Sequence, residues 1–203
     1  MIKPYGYQVP IIRDVVSALK RDGRTLMVMA TGTGKTITSA LVVQELVRKR
    51  GRMLFLCHNN DILRQSMDSY HTVFNGTRTM GEFTGDKKES AQFLFGSFQT
   101  MHGHRETFDP DTFDAIVVDE GHHSQADTYR PTLEYFKPKH LLGMTATPDR
   151  EDGRDIRDLF GQPSVELKLE EAIARHYLAP VTYKLMTVGT ASREALKRLA
   201  KRV

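Results

Sequence analysis

The apolar run TLMVMA (residues 25–30), the loop TGTGKT (31–36) and the helix-patterned ITSALVVQELVRKRG (37–51) follow one another without a break. A buried strand that runs into a glycine-bent loop and out into a helix leaves few folds open, because the loop's backbone N–H groups must converge at a helix N-terminus. Such a loop needs glycines so that main chain can wrap an anion, a lysine for β and γ phosphates, and a hydroxyl for Mg²⁺. Gly32, Gly34, Lys35 and Thr36 supply those parts, with Thr31 and Thr33 adding loop amides. The full pattern G-x-x-x-x-G-K-[ST] would put its first glycine where Met29 stands. A plain Gly-rich turn with an incidental lysine is the bland alternative, and the flanking strand and helix weigh against it.

Short apolar runs alternate with longer amphipathic stretches along most of the chain, which predicts an α/β fold with a mostly parallel central sheet and helices on both faces. Helices are expected over 8–23, closing on Gly23, and over 37–51, with a basic last turn and a terminal Gly51. A third should follow from HNNDILRQSMDSYHTVF. Strands are expected at RMLFLC, QFLFGS, DAIVVDE and HLLGMTA. The last three end in polar residues, and in open parallel sheets ligands gather at the carboxyl ends of the strands. With 203 residues and 39% hydrophobic content, one substantial core is expected.

The net charge of +4 is no argument for a nucleic-acid partner. Arg193, Lys197, Arg198, Lys201 and Arg202 against Glu194 account for all of it, leaving residues 1–189 balanced. One cysteine, Cys57, excludes an internal disulfide framework and suits a reducing, cytoplasmic setting. No apolar run reaches the length of a signal-peptide core or a membrane span.

Two further signals carry chemistry. In AIVVDEGHH, an aspartate at a strand end suits Mg²⁺ binding, usually through water, and the next glutamate suits orientation of an attacking water. Asp119 and Glu120 take those places, on a strand expected to be the parallel neighbour of the loop's own. Acidic pairs at strand ends also simply cap helices. His122 and His123, with His102 and His104, invite a zinc reading, which the missing second cysteine and missing ligand spacing disfavour. In LLGMTATPDR, Thr145 and Thr147 put hydroxyls near the Glu120 end of a neighbouring strand; alone, this would read as a strand end before the Pro148 turn.

Taken in order, these residues resemble the first motor domain of superfamily 2 helicases and translocases, the DEAD/DEAH-like group with a RecA-like P-loop fold. ATGTGKT is similar to that family's motif I, DEGHH to its motif II with Gly121 where alanine is usual, and TAT to its motif III. YGYQVPII resembles the upstream glutamine motif, LFLCHNNDILRQS resembles motif Ia, and GEFTGDKK with LFGSFQTM resembles the segments that grip a nucleic-acid backbone. These segments, with DGRDIRDLFG and LEEAIARHYLAPVTYKL, look most like the restriction-enzyme motor subunits (type I and III), and the resemblance covers roughly residues 3–186.

The resemblance implies ATP and Mg²⁺ as ligands. Gln8 would read the adenine edge with Tyr5 or Tyr7 near the ring. Lys35 and the loop amides would hold phosphates, Thr36 and Asp119 would place Mg²⁺, and Glu120 would activate water. His122, Thr145 and Thr147 would couple hydrolysis to strand grip. His58, Gly85, Ser97, Gln99 and Thr100 are candidates for the nucleic-acid backbone, where small hydroxyl, amide and backbone donors serve sequence-independent contacts. DNA is favoured over RNA. Tyr5 and Asn59 stand where the family often has arginine. Residues 1–189 would form the ATP-binding domain and 190–203 a basic linker helix. The 56 residues after Thr147 cannot hold a second motor domain, which needs on the order of 150, so the chain is expected to be half a motor with weak turnover. A P-loop phosphotransferase for small molecules and a non-catalytic, nucleotide-regulated nucleic-acid-binding module are the rival readings.

Overall fold

The computed structural model describes residues 2–119, 126–147 and 157–180. Seven strands form one sheet: β1 (Arg24–Met29), β2 (Met53–Cys57), β3 (Met80–Phe83), β4 (Phe93–Ser97), β5 (Ala115–Asp119), β6 (His140–Thr145) and β7 (Pro163–Leu167). Their order is β3-β4-β2-β5-β6-β1-β7, and every pairing is parallel. The helices are α1 (Gln8–Asp22), α2 (Lys35–Leu46), α3 (Asn60–Phe74), α4 (Phe98–His104), α5 (Ala126–Tyr135), α6 (Arg157–Phe160) and α7 (Leu169–Ala174).

The apolar runs are continuous because both faces of the sheet are covered. Met27, Phe55, Phe95 and Val117 point into one core with Val15 of α1, Val42 of α2 and Tyr70 of α3. Their chain neighbours Leu26, Leu54, Leu94 and Ile116 point into the other, with Phe98 of α4, Leu133 of α5 and Phe160 of α6. Each such fully buried large side chain stabilises the fold by about 1.5–3 kcal/mol relative to exposure.

Three expectations change. The helix expected to run to Gly51 stops at Leu46: buried Val47 turns to an extended conformation (φ −89°, ψ 114°), and Arg48 to Gly51 form a separate turn closed by a 2.8 Å backbone bond. A β-branched residue entering the core is better served by extended backbone than by another helical turn. The strand of Asp119 is also not the neighbour of the loop's strand, since β6 lies between β5 and β1. The strands β3 and β7 were not anticipated; both are short edge strands.

Gly143 lets Phe160 of α6 pack directly against β6. A Cβ at Gly143 would sit 2.7–2.9 Å from three ring carbons of Phe160. Gly143→Ala is therefore expected to cost about 1–3 kcal/mol of stability by overpacking. Urea unfolding measures this, and an unchanged midpoint would refute the close-packing argument.

Candidate functional site

The loop after β1 is built as a concave strip of main chain. Gly32 (φ 87°) and Gly34 (φ 76°) are both left-handed, a conformation in which a side chain clashes. Between them buried Thr33 folds inward, donating from its hydroxyl to Ala30 O (2.6 Å) while its amide bonds the same carbonyl (3.2 Å). Gly34 is the N-cap of α2 and makes no side-chain cap. The first turn of α2 sits at the positive end of the helix dipole, where its amides suit an anionic ligand. Lys35 and Thr36 begin this helix half-buried, and Thr31 and Gly32 are exposed.

α1 braces the loop from one side. Gln8 is 2% exposed, and both ends of its amide are engaged within the chain: Oε1 accepts from Tyr5 N (2.9 Å) and Nε2 donates to Thr38 Oγ1 (3.0 Å). The Tyr7 hydroxyl donates to Thr33 O at 2.9 Å. Burial, aided by the neighbouring Tyr5 and Tyr177, raises its pKa above the usual phenol value, so it stays a donor. Tyr5 is 71% exposed and stacks on Tyr7.

Across β6 lies Asp119, 6% exposed, in register with Met144. Its negative charge is felt by its neighbours. Burial, then the Asp119 carboxylate, push the Cys57 thiol from 9.0 up to about 12. The Tyr70 hydroxyl is likewise raised, by burial first, with Asp119 adding to it. Tyr70 also bridges toward the loop: its hydroxyl lies 3.0 Å from Ser39 Oγ, which donates to Thr36 O (2.8 Å). Tyr70 of α3 is thus linked through Ser39 to the first turn of α2, within electrostatic reach of Asp119. Glu120 and His122 lie outside the described residues.

These buried acids give a pH dependence with a definite sign. Between about pH 9 and 12 the unfolded thiol is ionised while the native one is not, so the native state holds more protons and stability falls as pH rises. Cys57 contributes a loss of about 1.4 kcal/mol per pH unit in that window and nothing below it. Urea titrations from pH 8 to 11 should show the decline in the unaltered chain and a shallower slope in Cys57→Ala. Identical slopes would disprove the assignment.

Thr145 is fully buried; its hydroxyl donates to Thr147 O (2.9 Å) and accepts from Thr147 N (3.2 Å), fixing the turn after β6. A pocket of about 540 Å³ opens at the carboxyl ends of β1, β6 and β7, lined by Ala30, Thr31, Ala146, Thr147 and Lys168 among others. Loop and motif III-like turn thus share one cleft.

The candidate backbone-gripping residues gather at the carboxyl ends of β2, β3 and β4. His58, half-buried, stacks on Phe98 (4.8 Å between centroids), which stacks on Tyr129 (4.4 Å). Asn59, where the resembled family often has arginine, caps α3 by accepting from Asp61 N (2.7 Å) and Ile62 N (3.2 Å), an arrangement worth about 1 kcal/mol. Ser97 and Thr100 are buried and spend their hydroxyls on the cap of α4, at 2.9 Å from each other. Gln99 and Gly85 are exposed. The Gly85 loop is pinned by Lys87 to buried Glu82 (2.9 Å) and by Lys88 Nζ to Thr84 O (2.6 Å). His102 and His104 bond Thr132 Oγ1 and Thr100 O instead of converging, and among the described residues no three His, Cys, Asp or Glu form a metal-binding group. Among those residues, no helix is long and apolar enough to cross a membrane.

Sequence reasoning missed Thr38, Ser39, Tyr70, Tyr177 and Leu178 as supports of the loop. Periodicity marks Tyr70 only as a core position; which loop it reaches depends on the packing of α2 on α3.

The family model described as "Type III restriction enzyme, res subunit" matches residues 1–150. The endonuclease subunit of the type I restriction enzyme EcoAI from Escherichia coli is 32% identical over 196 residues, 91% of this chain and 24% of that protein. The DNA 3'-5' helicase XPB of Kineococcus radiotolerans is 28% identical over 181 residues, 84% of this chain and 32% of that protein. The chain thus spans about a quarter to a third of the length of these curated relatives. Among solved structures, a fragment of an HsdR subunit of a type I restriction enzyme from Vibrio vulnificus superposes with TM-score 0.63 at 30% identity, covering 84% of this chain and 31% of that one. The helicase domain of Pyrococcus furiosus Hef superposes with TM-score 0.71 at 20% identity, covering 89% and 41%, which bears on the fold alone. With a RecA-like sheet, a glycine-bent loop on β1 and a family match over three quarters of its length, the chain belongs to the ResIII family of superfamily 2 helicase-like domains, in the group of restriction-enzyme motor regions.

Proposed function

We propose that this chain is the ATP-binding lobe of a DNA-dependent ATPase that tracks along or opens duplex DNA, working with a second lobe from the same polypeptide or a partner. The observation that carries the reading is the left-handed Gly32–Thr33–Gly34 loop opening the uncapped N-terminus of α2, one strand away from the buried Asp119 carboxylate. A triphosphate fits that donor set: backbone amides, a helix N-terminus and Lys35 all favour anionic oxygens. Bound Mg²⁺ would neutralise phosphate charge, and Thr36 and Asp119 are the residues to hold it. Glu120 is assigned the orientation of the attacking water, and His122 with Thr145 and Thr147 the link between nucleotide state and the DNA-facing ends of β2 to β4.

Relatives of the restriction-enzyme and DNA-helicase type support DNA as the polymer, and a relative from Saccharomyces cerevisiae described as an ATP-dependent helicase supports ATP as the fuel. Their greater length supports a second lobe, whose arginines would supply about 10³–10⁵ in rate in related phosphate hydrolases. Hydrolysis by this chain alone is therefore expected to be slow. The test is calorimetric uptake of Mg·ATP, followed by phosphate release with and without duplex DNA, for this chain and for one carrying a second lobe. Uptake by both, with DNA stimulating only the longer chain strongly, is the expected result. No uptake would overturn the reading, and uptake with no turnover in either would favour a non-catalytic binding module.

A further inference from the structure

Downstream of α7 the chain makes a turn that periodicity does not announce. Tyr177 N donates to Ala172 O (2.8 Å) and His176 N to Ile173 O (3.0 Å), the paired bonds of a Schellman-type helix end. The left-handed position in such an end is usually glycine; here it is His176 at φ 58°. A side chain in that conformation carries a steric cost, and strained residues persist where the surrounding structure fixes them.

The turn aims two side chains at the phosphate loop. The Tyr177 ring stacks on Tyr7 with centroids 4.3 Å apart and planes 17° apart. Tyr7 in turn holds Thr33 O through its hydroxyl at 2.9 Å. Leu178 lies directly on the loop, its Cδ2 only 3.2 Å from where a Cβ on Gly32 would be. Both side chains are half-buried and also pack on the core beneath α1 and α2. The loop is thus held from two sides, by Gln8 and Tyr7 of the N-terminal segment and by Tyr177 and Leu178 from beyond β7.

We propose that Tyr177 and Leu178 are positioning residues of the nucleotide site, bracing the Thr31–Gly34 main chain in its anion-ready shape before ligand arrives. The proposal rests on the reading of this loop as a triphosphate site. A loop with two glycines loses much conformational freedom when it orders. If the brace orders it during folding, that loss is not charged to binding. The brace acts on the phosphate side, so removing it weakens every ligand with a triphosphate group, whatever its base.

The experiment is calorimetric titration of Mg·ATP, Mg·GTP and Mg·tripolyphosphate into the unaltered chain, Tyr177→Ala, Tyr177→Phe, Leu178→Ala and Val165→Ala. Val165 packs on the same core from β7, paired with Met27, and controls for lost stability. Tyr177→Ala and Leu178→Ala are expected to weaken all three ligands by about tenfold. Tyr177→Phe should stay within about twofold because the stack survives, and Val165→Ala should bind as the unaltered chain does. Undiminished binding by both alanine variants overturns the proposal. So does a loss confined to ATP and GTP, which would mark a base contact, or an equal loss in Val165→Ala, which would mark general destabilisation. Failure of the unaltered chain to take up any ligand overturns the triphosphate reading itself, and is told apart because no variant then differs from it.

Discussion

Lys35→Ala is expected to lower Mg·ATP affinity by at least about a hundredfold while changing folding stability by about 1 kcal/mol or less. Lys35 is the first residue of α2, half-buried at the mouth of the glycine loop. A cation there adds to the helix dipole and to the loop amides, all of one sign. In a site partly shielded from water each charge–charge contact is worth several times its value in bulk solvent. Stability should change little because Lys35 is only half-buried and a cation in the first turn of a helix is not favoured by the helix dipole. Lys35→Arg should not restore binding fully, since a planar fork cannot replace a compact ammonium at a converging site. Calorimetry paired with urea unfolding separates the two effects. Affinity within a factor of about three of the unaltered chain would remove the lysine from the site.

Gly34→Ala should act in the opposite way, on the fold and the site together. At φ 76° an alanine costs about 1–2 kcal/mol for its left-handed backbone. Its Cβ would also stand 2.8 Å from Gln8 Nε2. That amide cannot swing away freely, because it is held at one end by Tyr5 N and at the other by Thr38 Oγ1. Displacing it breaks buried hydrogen bonds whose loss costs about 1–3 kcal/mol. A total of about 2–5 kcal/mol in stability is expected, with a loss of nucleotide affinity as well. Hydrogen exchange at the amides of 33–38 would show the strain locally. A variant as stable as the parent would mean that the loop and α1 separate more easily than their packing implies.

The elements legible in the sequence were those whose evidence is local. Continuous runs such as MLFLC and AIVVD need two covered faces wherever they occur, so strands and sheet type followed from them. The glycine pattern of 31–36 forces left-handed turns, and Gly32 and Gly34 adopt them. Helix α1 closes on Gly23 as its spacing requires. Arg48 to Arg50 point locally to a basic last turn of α2, whereas the burial of Val47 against the core decides the exit. Edge strand β3 was hidden for a related reason. MGEF has no alternation, and its buried Glu82 is paired with Arg64 (3.5 Å) from α3 and Lys87 (2.9 Å) from the next loop.

The candidate site divides along the same line. Gly32, Gly34, Lys35, Thr36 and Asp119 are candidates on residue type and flanking pattern alone, because a glycine-bent loop ahead of a helix is a short-range property. Which strand separates the loop from Asp119, and which side chains brace it, depend on contacts between residues far apart in the chain. Thr33 touches Tyr7 across 26 positions, Ser39 touches Tyr70 across 31, and Gly32 meets Leu178. The order of residues thus determined a parallel sheet carrying a glycine-lysine loop, since propensity and period act over a few neighbours. Only the tertiary fold decided that β6 stands between loop and acid and that Tyr177 leans on Tyr7, because those placements come from how helices and strands pack, which no local pattern encodes.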